Sequence, residues 1–460
     1  MVEVSVGTPI SKSERSGAPD LRCALPHPDL DPDPPCRESL RLGCLKWEMM
    51  EGMAATAVSV TTVSVTTKMP RRVLSVDMLR GITIALMILV NDPGDWGHVF
   101  GQLDHSPWNG WTLTDLVFPT FLFLIGASIV FSMTARERKG DCRKTQAGHI
   151  FLRFAKLALL AWALDYFPRM HWTLRIYGVL MRIALCYLVG ALLLLASRKV
   201  KVIVPLVVAI LVGYWVLLRF VPIPGAGHPV RDFPLLDPMW NLTAWIDRGV
   251  SAWMLKWLHT GTLYQKTRDP EGLLSTLPAV GTLLIGALAG LWMQRPEWEQ
   301  GSTQRYRMRN GMIAFGGLMF VAGTVWGRWF PVNKNLWTSS YVLVAAGIAM
   351  VVLALLNWLV DGRTEPWPGW LRVLTWPWFV FGSNAIAAFT VSVVFVKAMI
   401  FFKIADEDGD KHSLWALTYE NVFARHGSNE WTSLAFAVSF VVVCFVPVWL
   451  LWRKKIFLRM

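Results

Sequence analysis

The sequence predicts an all-α fold, a polytopic membrane helix bundle of about 10 to 11 transmembrane helices. Of its 460 residues, 54% are hydrophobic and 17% are charged, whereas roughly 25% are charged in an ordinary soluble domain. The apolar residues form runs of about 20 or more, which is the length that crosses a hydrocarbon core about 30 Å thick as a helix. The 25 Trp and 24 Phe suit the two membrane interfaces, where aromatic side chains collect.

Residues 1–70 differ in composition from the rest of the chain. PHPDLDPDPPCRESLR is rich in proline and acidic residues, and AATAVSVTTVSVTT is too short and too rich in threonine to span a bilayer. A charged n-region followed by an apolar h-region is missing, so we expect no signal peptide. The segment is either a disordered extension or a mis-called start, with the true start at Met49, Met50, Met53 or Met69. A transmembrane domain follows over 71–460.

Ten apolar stretches follow one another and predict ten spans. Their approximate bounds are 73–91, 112–134, 149–167, 174–197, 200–221, 272–294, 308–330, 336–360, 375–401 and 431–452. The connection 223–271 contains SAWMLKWLHTGTLY, which predicts an interfacial helix or a re-entrant segment as an eleventh element.

The basic residues indicate the orientation of the bundle. With a cytoplasmic N-terminus, the short basic loops all lie inside: RERKGDCRK, SRKVK, QRPEWEQGSTQRYRMR, DGRTEPWPGWLR and WRKKIFLRM. The loop 92–111, which contains no Lys or Arg, then lies outside. This arrangement satisfies the positive-inside rule and explains the net charge of +13 without a nucleic acid partner. Both termini are therefore expected in the cytoplasm.

The first two spans enclose a short hairpin that concentrates polar side chains. These are Asn91, Asp92, Asp95, His98, Asp104, His105, Asn109 and Asp115. Polar groups at this density between membrane spans are costly to keep without a use. The hairpin is therefore the candidate functional site.

His105 is the side chain of the hairpin best suited to proton transfer. Histidine takes up and releases a proton near neutral pH, and a carboxylate on the far ring nitrogen would fix its tautomer. Asp115 is a better candidate for that carboxylate than Asp104, because Asp115 opens the apolar helix DLVFPTFLFLIG, where burial requires a partner. The alternative is that His105 stabilises a turn at the interface.

Asn91 ends the first apolar span, so its amide is expected to be buried and hydrogen-bonded. In that position it could hold a carbonyl oxygen on which negative charge develops. The alternative is a helix C-cap before the Asp92-Pro93-Gly94 turn.

Metal binding and disulfides are weaker hypotheses. Asp and His side chains of one loop are zinc-type donors, but their spacing here matches no recurring ligand pattern. The six cysteines form no C-x-x-C pair and show no paired spacing within one segment. We infer neither a metal site nor a disulfide framework.

Two further charged sets lie in or beside spans. Asp77 and Arg80 are three residues apart on one helical face, which predicts an ion pair or an anion contact from the cytoplasm. Arg175 and Arg182 are seven residues apart and are expected on one face of the fourth span. A buried guanidinium at Arg182 needs a partner such as Asp165, or a ligand phosphate.

Several blocks of the sequence together resemble one family, the heparan-α-glucosaminide N-acetyltransferases and their bacterial inner-membrane relatives. The blocks are SVDMLRGITIALMILVN, HSPWNGWTLTDLVFP, IYGVLMRIALCYL, DPEGLLSTLPA, NKNLWTSS and FGSNAI, in that order, over about residues 73 to 390. The resemblance implies a transmembrane acyltransferase domain over 71–460. Such an enzyme uses cytosolic acetyl-CoA to acetylate the amino group of a glucosamine-type sugar across the membrane.

The resemblance also implies roles for individual residues. His105 would be the active-site histidine, Asn91 its partner at the acetyl group and Asp115 its support, and either an acetylated histidine or direct transfer is compatible with this set. The phosphates of CoA would be held by basic residues on the cytoplasmic side, with Arg80 and Arg182 as candidates. The blocks NKNLWTSS and FGSNAI add Asn335 and Asn384 as candidate cofactor-binding residues. Met181 stands where the family commonly has Gln.

The partners implied are acetyl-CoA as co-substrate, an amino-sugar acceptor and the lipid bilayer, with no metal and no nucleic acid. A homodimer stays open. The expected location is a bacterial inner membrane, with the His105 loop extracytoplasmic. A transporter or exporter of a sugar or cell-wall precursor is the alternative function, because polar groups near the midplane of broken spans also line transport pathways.

Overall fold

The computed structural model describes residues 73–168, 170, 175–261, 263–265, 267–299, 301–361, 367–405 and 410–458. The proposed disordered or mis-called extension over 1–70 lies outside the described residues. Within the described ranges the chain is mainly helical, and its two short strands, β1 (Lys403–Ala405) and β2 (Lys411–Ser413), pair antiparallel. The predicted all-α fold class is confirmed.

The α-helices of the described ranges are numbered in chain order. They are α1 (Leu74–Asn91), α2 (Leu113–Glu137), α3 (Arg143–Tyr166), α4 (Val179–Ala196), α5 (Val200–Phe220), α6 (Leu242–Leu258), α7 (Thr276–Met293), α8 (Ser302–Trp326), α9 (Ser339–Leu356), α10 (Gly369–Ser383), α11 (Ala385–Phe401), α12 (Leu414–Thr418) and α13 (Glu430–Arg453). Short turns of other helix types lie at Pro296–Glu299, Asn357–Asp361 and Tyr419–Phe423.

Eight of the described helices are long and apolar enough to cross a membrane, and nine spans result if α10 and α11, bent by 81°, form one broken span. This is fewer than the predicted ten to eleven. The helix α8 fills the predicted span 308–330 with 25 residues, but arginines near its start and glycines along it lower its mean hydropathy. The helix α6 occupies the region of the predicted eleventh element and is not among the eight.

The helix α2 lies at the centre of the bundle and is fixed by α7. Its Phe123 is fully buried. A Cβ atom on Gly286 of α7 would lie 1.9 Å from the carbonyl oxygen of Phe123, and one on Gly126 of α2 would lie 1.8 Å from that of Leu283. Only glycine permits this approach of two helix backbones. The close crossing determines where the first residues of α2 are placed.

A carboxylate fixes the start of α1, and the other end of this helix leads into the hairpin. At its start, the backbone N–H groups of Leu74 and Ser75 donate to the carboxylate of Asp361 at 2.9 and 3.0 Å. Such a carboxylate satisfies free N–H groups and complements the positive end of the helix dipole. At its other end, α1 leads into the polar hairpin 92–112, which returns the chain to the start of α2.

Candidate active site

Asp115 lies in the first turn of α2 and is completely buried. Its Oδ2 accepts hydrogen bonds from the N–H of Ser106 at 3.1 Å and from the N–H and hydroxyl of Thr112 at 3.1 and 3.2 Å. Its Oδ1 lies 2.8 Å from Nδ1 of His105. The predicted contact between His105 and Asp115 is therefore present, and three donors hold the carboxylate in place.

The geometry determines the tautomer of His105. A carboxylate can only accept, so Nδ1 carries a proton, and in the neutral form of the imidazole Nε2 then has the lone pair. The imidazole is 38% exposed, whereas the side chain of Asp115 is 1% exposed. A reacting group can therefore reach Nε2 while the carboxylate stays shielded from water.

Lys334 completes this group and was missed by the sequence analysis, which selected the neighbouring Asn335. Its Nζ lies 3.0 Å from Nδ1 and 3.3 Å from Nε2 of His105, and 3.5 Å from Oδ1 of Asp115. These two distances place the ammonium over the face of the imidazole, beside both ring nitrogens and not in line with the lone pair of Nε2, which lies in the ring plane. Burial lowers the pKa of Lys334, and the carboxylates of Asp115 and Glu271 oppose that change.

The loop that carries Lys334 is tied to the hairpin. The fully buried Asn333 accepts from the N–H of Leu336 at 2.9 Å and donates to the side-chain oxygen of Asn109 at 3.3 Å. The N–H of Gly110 donates to the carbonyl of Val332 at 2.7 Å. These bonds position the lysine relative to the imidazole.

The amide of Asn91 is not buried, contrary to the expectation from the sequence. It is the last residue of α1 and is exposed, whereas the next two residues, Asp92 and Pro93, are buried. Among the described residues, no hydrogen bond joins Asn91 to His105, Asp115 or Lys334. Its role at the acetyl group stays a prediction. Asn335 is half-buried next to Lys334, and its role also stays a prediction.

Arg182 and Arg175 also depart from the expected arrangement. Arg182 donates to the carbonyl of Gly272 at 2.9 Å and to the hydroxyl of Ser275, and its guanidinium lies 5.1 Å from the ring centre of Trp337. The suggested partner Asp165 is therefore wrong. Because α4 begins only at Val179, Arg182 lies in its first turn, and its contact with Trp337, which packs against Phe118, places it near the Asp115 end of α2.

Arg175 precedes α4 and so does not share a helical face with Arg182. It pairs instead with the buried Asp269, its Nη2 lying 2.5 Å from Oδ2. The short polar segment from Asp269 to Ser275 thus contacts both arginines.

Arg80 and Asn384 lie away from the start of α2. The predicted ion pair of Arg80 with Asp77 is present at 3.1 Å, and Arg80 also donates to the hydroxyl of Ser128 at 2.7 Å. Asn384, buried at the bend between α10 and α11, donates to the carbonyl of Ile456 at 3.0 Å and accepts from the N–H of Leu458 at 3.1 Å. Asn384 therefore anchors the segment that follows α13.

A cavity of about 460 Å³ lies between α1, α2, α3, α4 and the bend at Asn384. Its basic lining residues are Arg80, Arg136, His149, Arg153 and Lys156, and no described lining residue is acidic. Along α2 the lining extends from Phe118 to Arg136, about 27 Å at 1.5 Å per residue. The cavity therefore runs from the basic end of α2 to within one turn of Asp115. Met87, which also lines it, lies about one turn before Asn91.

The hairpin contains a second histidine–aspartate pair. Nδ1 of His98 lies 2.8 Å from Oδ2 of Asp95, to which the hydroxyl of Ser428 donates at 2.6 Å. The bond from Ser428, and then that from His98, lower the pKa of Asp95 to about 2. Among the described residues, no three His, Cys, Asp or Glu side chains are grouped as a metal site would require.

Comparison with known proteins identifies the family. A family model described as heparan-alpha-glucosaminide N-acetyltransferase, catalytic, matches residues 72–318. The human protein named heparan-alpha-glucosaminide N-acetyltransferase is 29% identical over 430 residues, which cover 85% of this chain and 60% of the human protein. The mouse protein of the same name is 27% identical over 383 residues, covering 75% and 57%. The chain thus spans about 60% of the length of the human relative. Because the family model matches more than half of the chain, the protein belongs to the heparan-α-glucosaminide N-acetyltransferase family.

Proposed function

We propose that the protein is a transmembrane N-acetyltransferase that moves an acetyl group from cytosolic acetyl-CoA to the amino group of a glucosamine-type sugar on the opposite side of the membrane. The observation that carries this proposal is the cavity, which is basic at one end of α2 and ends within one turn of the His105–Asp115 pair at the other. The names of the human and mouse relatives support it.

The cavity suits the shape and charge of the donor. Its size falls within the range of about 300–1,000 Å³ that is usual for ligand sites. Arg153 is stacked 4.6 Å from the ring centre of Tyr187, and its buried Nε has no hydrogen-bond partner among the described residues. Together with Arg136 and Lys156, it forms a cationic entrance for the phosphates of CoA. Past this entrance the pantetheine arm would extend along α2 towards Phe118.

The chemistry needs a base at Nε2 of His105. A sugar ammonium is not a nucleophile, so Nε2 removes one proton from it. The amine nitrogen then forms a bond to the thioester carbonyl carbon. The C–S bond breaks with its electron pair on the CoA sulfur, which takes the proton from His105, and the new amide nitrogen releases its second proton to solvent. If the imidazole carries the acetyl group first, Nε2 forms a bond to the carbonyl carbon as the C–S bond breaks, and the amine nitrogen then replaces Nε2 on that carbon.

The acceptor is expected at the solvent-facing side of His105. Trp96 of the hairpin, which is 59% exposed, would contact it. In a bacterial inner membrane with both termini in the cytoplasm, a free, cell-wall or exopolysaccharide amino sugar would be available there.

The first experiment measures transfer of radiolabelled acetyl from acetyl-CoA to glucosamine by the purified protein. We expect transfer by the wild type, loss in His105→Ala, and retention in His98→Ala. His98 is the matched control, because it lies in the same hairpin and has its own carboxylate at 2.8 Å. Equal labelling by wild type and His105→Ala would contradict the proposal, and sugar uptake into vesicles would then test the transporter alternative.

The second experiment tests the two sides of the membrane. Added side chains at Gly101 and Gly148 would meet no atom within 4 Å. In a variant whose native cysteines are replaced by serine, Gly101→Cys should react only with reagents added outside, and Gly148→Cys only with those added to the cytoplasmic side. Labelling of both from one side would rule out transfer across the membrane.

A further inference from the structure

We propose that Lys334 is a further catalytic residue, whose ammonium group stabilises the negative charge that develops on the acetyl oxygen during transfer at His105. This inference rests on the proposed acetyltransferase function. It assigns the charge-stabilising role to a side chain outside the hairpin.

The position of Lys334 matches the place where the charge would develop. Its Nζ lies 3.3 Å from Nε2 of His105, the atom that takes the proton or the acetyl group. A carbonyl carbon that reacts beside Nε2 brings its oxygen within reach of this ammonium. The ammonium lies beside the ring and not on the lone pair of Nε2, so it can donate a hydrogen bond to this oxygen without movement of the loop.

The surroundings favour a strong effect. The side chain of Lys334 is 22% exposed, so water screens its charge only in part. The bonds of Asn333 to Leu336 and to Asn109 hold the loop before any substrate binds. Preorganised donors of this kind stabilise an oxyanion because they need no reorientation during the reaction.

A purely structural role, as counter-ion of Asp115, explains the position less well. The ammonium is closer to both imidazole nitrogens, at 3.0 and 3.3 Å, than to Oδ1 of Asp115, at 3.5 Å. The carboxylate already receives bonds from the N–H of Ser106, from the N–H and hydroxyl of Thr112, and from His105.

No other described group takes the role. Asn91, the expected donor for the acetyl oxygen, makes no hydrogen bond to His105 among the described residues. Arg182 is 1% exposed and faces Gly272, Ser275 and Trp337.

The experiment compares Lys334→Met, Lys334→Arg and Lys334→Ala by steady-state kinetics with acetyl-CoA and glucosamine. We expect kcat to fall about 10²–10³-fold in Lys334→Met, with KM for both substrates within about threefold, because the group acts on the transition state. Lys334→Arg should also be impaired, since its larger planar group cannot occupy the same point. Propylammonium should restore part of the activity of Lys334→Ala.

Lys397→Met is the matched control. Lys397 is a half-buried lysine of α11 that donates to the backbone carbonyls of Leu164 and Phe167 at 2.5 and 3.3 Å. Its variant should keep kcat within about threefold, as expected for a side chain without a role in the transition state.

The outcomes separate this inference from the proposed function. An inactive wild type refutes the acetyltransferase itself. An active wild type with an equally active Lys334→Met refutes only the role of Lys334. Full activity of Lys334→Arg, or failure of propylammonium to restore a folded Lys334→Ala, identifies a structural counter-ion instead and likewise overturns the inference. If Lys334→Met does not fold, Lys334→Arg and Lys334→Ala give the decision.

Discussion

The substitution Asp115→Asn tests how the carboxylate controls His105. The amide keeps the size of the side chain but has one acceptor oxygen and one donor NH2 group. Around Asp115, the backbone N–H groups of Ser106 and Thr112 face Oδ2, whereas Nδ1 of His105 and, at 3.5 Å, the ammonium of Lys334 face Oδ1. The amide oxygen should take the Oδ2 side, because the backbone N–H groups cannot accept, whereas the imidazole can change its tautomer. Its NH2 group then points at Nδ1 of His105.

This exchange reverses the tautomer of the imidazole. Nδ1 must now accept, so the proton moves to Nε2 and the lone pair needed by the reaction is lost. In a serine-protease triad, the corresponding carboxylate-to-amide change lowers kcat about 10⁴-fold. We expect a loss of about 10³–10⁴-fold here, or ~4–5.5 kcal/mol in the activation free energy at 1.36 kcal/mol per tenfold. The loss of hydrogen bonds should lower the free energy of unfolding by less than ~1 kcal/mol, because the bonds on the Oδ2 side remain and the amide donates to Nδ1. The substitution also removes the charge contact between the carboxylate and Lys334 at 3.5 Å.

The assay is single-turnover acetyl transfer at saturating acetyl-CoA and glucosamine, together with thermal unfolding of both proteins. Asp95→Asn is the control, because it makes the same chemical change beside His98. Activity of Asp115→Asn above one tenth of wild type, with an unchanged unfolding temperature, would refute the tautomer argument.

Three further predictions concern stability and donor binding. Burial raises the pKa of Asp92 to about 8 from an ordinary value of 3.8. Between these pH values the unfolded chain releases a proton that the folded chain keeps, so the free energy of unfolding falls as the pH rises from about 4 to 8. Asp92→Asn should remove this pH dependence. Unfolding measured over this pH range should show a free energy ~2–5 kcal/mol above that of the wild type at pH 8 and no difference near pH 4. Gly286→Leu places a side chain where a Cβ atom would lie 1.9 Å from the carbonyl oxygen of Phe123. It should lower the free energy of unfolding by at least ~3 kcal/mol, measured by thermal unfolding. Gly148→Leu, the control at a helix glycine with open space around it, should show no such loss in the same measurement. Arg153→Gln should raise KM for acetyl-CoA about tenfold and leave kcat and KM for glucosamine unchanged. The reason is that the charge it removes would bind the donor equally in the ground state and in the transition state. An unchanged KM for acetyl-CoA would refute the place of Arg153 at the donor entrance.

The sequence predicts those parts of the fold that depend on local composition. Hydropathy identifies the spans because every helix in a membrane must present apolar side chains. The contact of His105 with Asp115 is also predictable, because only ten residues separate them and a carboxylate in the first turn of a helix is held by the N–H groups there.

The errors arise where tertiary structure decides. Lys334 reaches His105 across 229 positions of sequence, and no local pattern reports such a contact. Arg182 was expected at the cytoplasmic end of the bundle but lies near Asp115, because α4 starts later in the sequence than expected. The apolar run suggests a helix from 174, but Gly178, with φ of 104°, precedes the true start at Val179. Asn91 is exposed, against expectation, because α1 ends at this residue and the buried positions are those of Asp92 and Pro93 that follow.

The length of α2 has a consequence for the choice of donor. The helix carries Asp115 in its first turn and Arg136 in its last, and the close crossing at Gly126 and Gly286 holds it in place between them. The 21 positions from Asp115 to Arg136 correspond to about 32 Å at 1.5 Å per residue. An acetyl donor held by its phosphates at Arg136 would therefore need a chain of about this length to react at His105, which excludes shorter thioesters.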